Sequence, residues 1–281
     1  MMQAKIGAFI FIRALALVWQ YRSFALRVCL PIYLLAFAID TWIRVQVMGE
    51  ITRGPLQLHT HDPYVGAPEK GASLSQILTI WAVWISSLIA IAILWHRHVL
   101  DAHGVGPIAP LGLRQPLSYL GKLLGAWSLV IIPFGLISGI ALAIIMPGLF
   151  HSVESAASFS SAGIAIFTAL GVVMGWAIMR LSLALPEAAI GQKGSIFDSW
   201  FETRPLAGAL WVTAALEMGL FTAISYLGDT VAALDILLAY LVENLGWFIP
   251  ALVGIAILTL LYEHLYHGRA LWSVHSGGLQ N

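Results

Sequence analysis

Charged side chains are scarce in this sequence. Asp, Glu, Lys and Arg make up 10% of the residues and cancel to a formal net charge of zero, whereas soluble domains carry about a quarter charged residues. A balanced charge excludes an overall field that would recruit nucleic acid or an acidic partner. Cysteine is nearly absent. The one cysteine, Cys29, excludes an internal disulfide, and within its apolar run it reads as a small packed side chain. Catalytic signatures are missing too: there is no phosphate-cradling glycine loop, no HExxH and no G-x-S-x-G. A cleaved signal peptide is not expected. Arg13 interrupts the apolar stretch 6–19, and Gln20, Tyr21 and Arg22 stand where small residues belong.

What is present is apolar. The chain is 59% hydrophobic over 281 residues, with a mean hydropathy of +0.87. No core of that size hides so much apolar surface from water, so much of it must face lipid. Eleven tryptophans fit interfacial anchoring. The expected fold class is all-α: a polytopic membrane helix bundle forming one domain, 1–281.

Six runs are long enough to span the bilayer, at about 20 residues for about 30 Å of hydrocarbon. They are 25–47, 77–95, 119–146, 161–185, 207–227 and 245–266. Residues 5–22 read as an amphipathic helix lying in the interface, with Arg13, Ala16 and Gln20 on one stripe. The third span holds Pro133 among glycines, which predicts an internal, kinked helix. Gly121/Gly125, Gly135/Gly139 and Gly171/Gly175 are small-residue pairs at the spacing of close helix contacts. Residues 48–76 read as an irregular loop, 229–244 as an interfacial helix or an extension of span five, and the tail after His267 as disordered.

Sidedness follows from the cations. Lys5, Arg13, Arg22, Arg27, Arg97, Arg114, Lys122, Arg180, Lys193, Arg204 and Arg269 fall on one side of this alternation. The other side holds Arg53 and Lys70, with Arg44 near the far end of span one. Basic residues stay on the cytoplasmic face. The expectation from this alternation is an even number of spans with both termini in the cytoplasm; the resemblance given below implies the bacterial inner membrane.

Few polar groups within the spans could carry chemistry. Asp40 and Arg44 are four apart on span one and share a helix face. Glu217 falls near the middle of span five, where a carboxylate costs ~2.5 kcal/mol or more. It should be protonated, paired or facing a watery cavity, with Arg180 as a candidate partner. Haem, pigment or metal binding would draw on His96, His98, His264 and His267, whose spacing shows no convergence; no metal site is expected. From Arg180 to Pro205 the sequence reads as a structured connection: Pro186 ends the span, Gly191 and Gly194 make a turn, and Ser195 with Asp198 forms a capping-box pattern.

That connection, with the run Trp95-His96-Arg97 closing span two, resembles a bacterial family of six-span membrane proteins of unassigned function. It is similar to the membrane domain fused to some glycerophosphodiester phosphodiesterases. The positions that carry the resemblance are Trp95, His96 and Arg97, then Arg180, Leu185, Pro186, Gly191, Ser195, Trp200 and Thr203. Glu187 departs from the pattern, standing where a small residue is usual, and so does Arg204-Pro205. The fused relatives owe their activity to a soluble barrel absent from this sequence, so diesterase activity does not carry over. The expectation is a non-enzymatic accessory subunit, scaffold or assembly partner of a larger inner-membrane complex, in contact with lipids and other membrane subunits. The alternative is a small-molecule or lipid transporter with a cavity near Glu217 and Arg180.

Overall fold

The computed structural model describes residues 2–48, 74–105, 108–149, 156–232 and 234–269. Regular structure among them is helical throughout, with no strand. In lipid a backbone must satisfy its own hydrogen bonds, and a helix does so within one segment. Six helices are long and apolar enough to cross a membrane, or seven if a pair bent at a short break counts as one span. The chain is a multi-pass membrane protein.

Helix α1 (Met2–Gln20) leads through α2 (Arg22–Phe24) and a π-turn at Ala25–Cys29 into α3 (Leu30–Met48). Then come α4 (Leu74–Ala102), α5 (Arg114–Leu149) and α6 (Ala156–Leu181). Two short helices, α7 (Ala184–Ile190) and α8 (Ile196–Glu202), precede α9 (Ala207–Ala232), α10 (Ile236–Gly246) and α11 (Phe248–His267). The C-terminal ends of α4, α6 and α11 meet the N-terminal ends of α5 and α9, together with α7 and α8; this is called the basic end below.

Length and composition alone would let α1 span. Its contacts put both its ends at the basic end. Gln3 donates to the Pro205 carbonyl, at the start of α9, while the Tyr21 ring lies against His98 and His103 at the end of α4. The helix therefore lies across the bundle. Its buried stripe is Gly7, Ile10, Ala14 and Leu17, packed on α9 and α11, with Ile12 and Trp19 exposed. Gly7 is required there: a Cβ would overlap the Ala209 carbonyl, and the Thr213 hydroxyl donates to the Gly7 carbonyl at 3.1 Å. Between helices that gain little from leaving lipid, such close approach and bonding is what holds.

Several expected boundaries move. Helix α4 runs on to Ala102, so Trp95-His96-Arg97 lies within the helix rather than closing it. Pro186 does not end span four. The break comes earlier, at Ser182 and Leu183, where α6 and α7 meet at 46°. Pro186 sits in the first turn of α7, where its missing N–H leaves no bond unmade. Helix α5 passes through Pro133 without a break, and Ile131, Ile132 and Leu136 are exposed, so this stretch is not internal.

The segment 229–244 divides. Its first residues finish α9, and Asp235 then caps α10, accepting from the Leu238 N–H at 2.8 Å. Helix α10 doubles back along α9 and continues into α11. Gly228 meets Glu243, Gly246 meets Ile224, and Phe221 stacks on Trp247. The stretch is packed against the bundle rather than lying alone in the interface.

Of the small-residue pairs, Gly171 and Gly175 bring α6 onto Met218 and Ala214 of α9. Gly125 faces Ile196 of α8, whereas Gly121 and Gly135 meet nothing; Gly139 is outside the described side chains. Of the expected loop 48–76, residues 49–73 lie outside the described residues, as does the tail beyond Arg269.

Candidate functional site

Cations of the basic end donate to backbone carbonyls of α7, of α8 and of the loop before α5. Lys122 of α5 donates to the Ala184 carbonyl at 3.0 Å. Arg97 of α4 donates to Ala189 at 3.1 Å and to Ala109 at 2.7 Å, tying the end of α7 to the loop before α5. Arg180, at the end of α6, donates to the Trp200 carbonyl at 2.6 Å and to the Thr203 hydroxyl at 3.2 Å. Its guanidinium also lies 3.7 Å over the Trp200 ring and 5.1 Å from Trp176, a geometry worth ~1–2 kcal/mol when shielded from water.

The remaining residues behind the resemblance finish this platform. Gly191 closes α7 at φ 86°, a left-handed conformation that favours glycine, with Ala109 where a Cβ would go. Ser195 caps α8 by accepting from the Phe197 N–H at 3.2 Å. Thr203 donates back to Ser199 at 2.8 Å. Trp95 is buried edge-on to Tyr21. His96 is fully buried, its Nδ1 2.9 Å from the Thr259 hydroxyl. That hydroxyl gives its proton to the Ile255 carbonyl, so Nδ1 is the donor and Nε2 a lone-pair acceptor with no partner. Arg97, Arg180, Gly191, Ser195 and Thr203 hold α7 and α8 in one rigid arrangement. Helix α8 then turns Phe197, Asp198, Phe201 and Glu202 outward.

Glu187, the departure from the pattern, lies inside this platform. It is 5% exposed, and its Oε2 has no hydrogen-bond partner. It packs against Gly194, where a Cβ would overlap that oxygen. Lys122, Tyr266 and the outer acids Asp198 and Glu202 act on it from nearby.

A second polar group, not foreseen from sequence, closes the basic end. The Glu263 carboxylate, 4% exposed, accepts from His103 Nδ1. His103 Nε2 then accepts from the Tyr21 hydroxyl at 3.2 Å. Arg269 lies 3.7 Å from Glu263 and donates to the His103 carbonyl. Burial, and next the Glu263 charge, push the Tyr21 phenol above its ordinary pKa and keep it a donor. The signal was an acid in the last turn of an otherwise apolar span. His103→Ala strips both neighbours of a partner and should cost ~2 kcal/mol, against ~1 kcal/mol for Tyr21→Phe. Thermal midpoints in mild detergent check that order.

The other candidates stay apart. Arg180 is engaged with Trp200 and Thr203, and Glu217 lies roughly 15 Å along α9 from that helix's start, half-buried against Gly254 of α11. The fit against a glycine predicts that Glu217→Gln keeps the fold; a detergent melting midpoint lowered by many degrees would contradict this. Asp40 is 3% exposed on α3, where Tyr33 and Thr41 bond to Asn244 and Tyr240 of α10; the Arg44 side chain is outside the described residues. His98 stacks on Phe24, His264 binds the Arg269 carbonyl, and His267 meets the Tyr262 ring. With His96 on Thr259, the four histidines do not converge. Among the described residues no group of His, Cys, Asp and Glu is placed to hold a metal ion.

No family model, curated protein or solved structure matches this chain.

Proposed function

We propose that the chain is a non-enzymatic accessory subunit, scaffold or assembly partner of a larger complex in the bacterial inner membrane, with its basic end in the cytoplasm. The observation that carries this is the α7–α8 platform. Arg97, Lys122 and Arg180 all point inward to backbone carbonyls, so they serve architecture. What they hold in place is an outward face with Phe197 63% and Phe201 68% exposed. A rigid apolar face with a polar edge suits a protein contact. The excess of Lys and Arg at the same end supports its cytoplasmic placement.

Purification from native membranes in mild detergent should bring down another membrane protein at fixed stoichiometry. A chain that elutes alone at monomer mass overturns the reading. Reporter fusions should place both termini in the cytoplasm, and termini on opposite sides would contradict the topology. The competing transport reading has one observation in its favour: Glu217 is a carboxyl within a span, half-buried. Loss of uptake in Glu217→Gln with the fold intact would decide for it.

A further inference from the structure

Tyr21, His103 and Glu263 are joined by bonds that run in one direction. They come from the turn between α1 and α2, the end of α4 and the last turns of α11. The Glu263 carboxylate takes the proton on His103 Nδ1, which fixes the tautomer of the ring and leaves Nε2 as a base. That lone pair meets the Tyr21 hydroxyl at 3.2 Å. A hydroxyl within reach of a base that a third group orients is the arrangement of an activated nucleophile. Arg269 braces the far end, beside Glu263 and on the His103 carbonyl.

Packing holds the phenol without sealing it. Trp95 and His98 meet its ring edge to face, yet the residue is only half-buried. Tyr226 provides the contrast. It is 74% exposed, and no histidine among the described residues is bonded to it. Exposure and activation thus fall on different tyrosines of this chain.

The surroundings select the electrophile. At the Tyr21 hydroxyl the Glu263 charge outweighs the opposite charge of Arg269. An anionic phosphoryl donor meets that repulsion, and a neutral acyl carbon does not. Among acyl donors the leaving group decides. A phenol has a pKa of about 10 and a thiol about 8.5, so a thiolate departs in preference to the phenolate, and the alkoxide of an ordinary ester does not. Trp19 and Leu26, exposed on either side of Tyr21 in the chain, suit a long acyl group.

We propose that Tyr21 is a covalent acceptor for an acyl group delivered by a thioester, with His103 as its base. The phenol oxygen bonds to the carbonyl carbon and the C–S bond breaks. The phenol proton passes to His103 Nε2 and from there to the departing thiolate, so a neutral thiol leaves and an aryl ester remains. Acceptance of one acyl group is a single event rather than turnover, and it stands apart from the subunit reading.

The test incubates the full chain, in phosphatidylcholine nanodiscs, with palmitoyl-coenzyme A. Released thiol and the mass of the peptide containing Tyr21 are followed. About one equivalent of thiol and a palmitoyl mass on Tyr21 are expected, and Tyr21→Phe should abolish both. His103→Gln retains a group that accepts from Tyr21 and donates to Glu263 but is no base. It should slow the reaction about a hundredfold while the melting midpoint stays near that of the wild type. A wild-type rate in His103→Gln overturns the proposal. So does wild-type chain in which Tyr21 is acylated no faster than Tyr226, or in which the acyl mass is confined to Cys29 or to lysines.

Discussion

Arg180→Ala should release α8. The guanidinium connects the end of α6 to the Trp200 carbonyl and the Thr203 hydroxyl, and fills the space between two tryptophan rings. Alanine leaves a charge-assisted bond unmade, removes the cation–π contact and opens a void beside Trp200. Together these amount to roughly 3–4 kcal/mol, a large fraction of a typical domain's stability. The loss is local, because the remaining bonds on α7, from Arg97 and Lys122, are untouched. Hydrogen exchange in detergent should therefore accelerate across Ser195–Thr203 and stay slow in α4 and α11. Arg180→Lys should behave nearly as badly, since an ammonium cannot reach both acceptors while lying flat on Trp200. Unchanged protection over Ser195–Thr203 in the alanine variant would remove Arg180 from its structural role.

Gly7→Leu should lift α1 from the bundle. The glycine lets α1 rest on the α9 backbone near Ala209 and Val212, and the Thr213 hydroxyl closes the contact. A leucine has nowhere to go: even its Cβ overlaps the Ala209 carbonyl, and a backbone atom cannot swing aside. Overpacking of this kind costs about 1–3 kcal/mol, more where backbone is hit. Ile10, Ala14 and Leu17 lose their packing with it. Protease cleavage after the first helix, negligible in the wild type, should become rapid, with α9 to α11 still folded. Gly7→Ala should show the same effect more weakly. Wild-type protease resistance in Gly7→Leu would mean that α1 docks some other way.

The helices were legible because oil-soluble stretches of sufficient length have one solution in a bilayer. The transverse placement of α1 was legible for a related reason, since Lys5 and Arg13 crowd it against crossing. Its packing stripe was not. Gly7, Ile10, Ala14 and Leu17 are no more apolar than Ile12, Leu15 and Trp19, and only tertiary contact tells the two sides apart. Pro186 misled for a physical reason: proline stops a helix in its interior but suits a first turn, and sequence does not show which turn it occupies. The capping serine and the turn glycine were read correctly because their signals are local. Glu263 and His103 were not joined in advance, because their bond crosses between α11 and the end of α4, and periodicity within one helix carries no information about it.

The inward cations of the basic end carry one more consequence. Eleven Lys and Arg residues define that end, but Arg97, Lys122 and Arg180 give their protons to carbonyls within the fold. The number of cations at that end is therefore larger than the charge the finished protein shows there to its surroundings. Counterions reach exposed charges and leave sheltered ones almost unscreened. Raising ionic strength should thus weaken whatever the protein binds at this surface well before it loosens the surface itself.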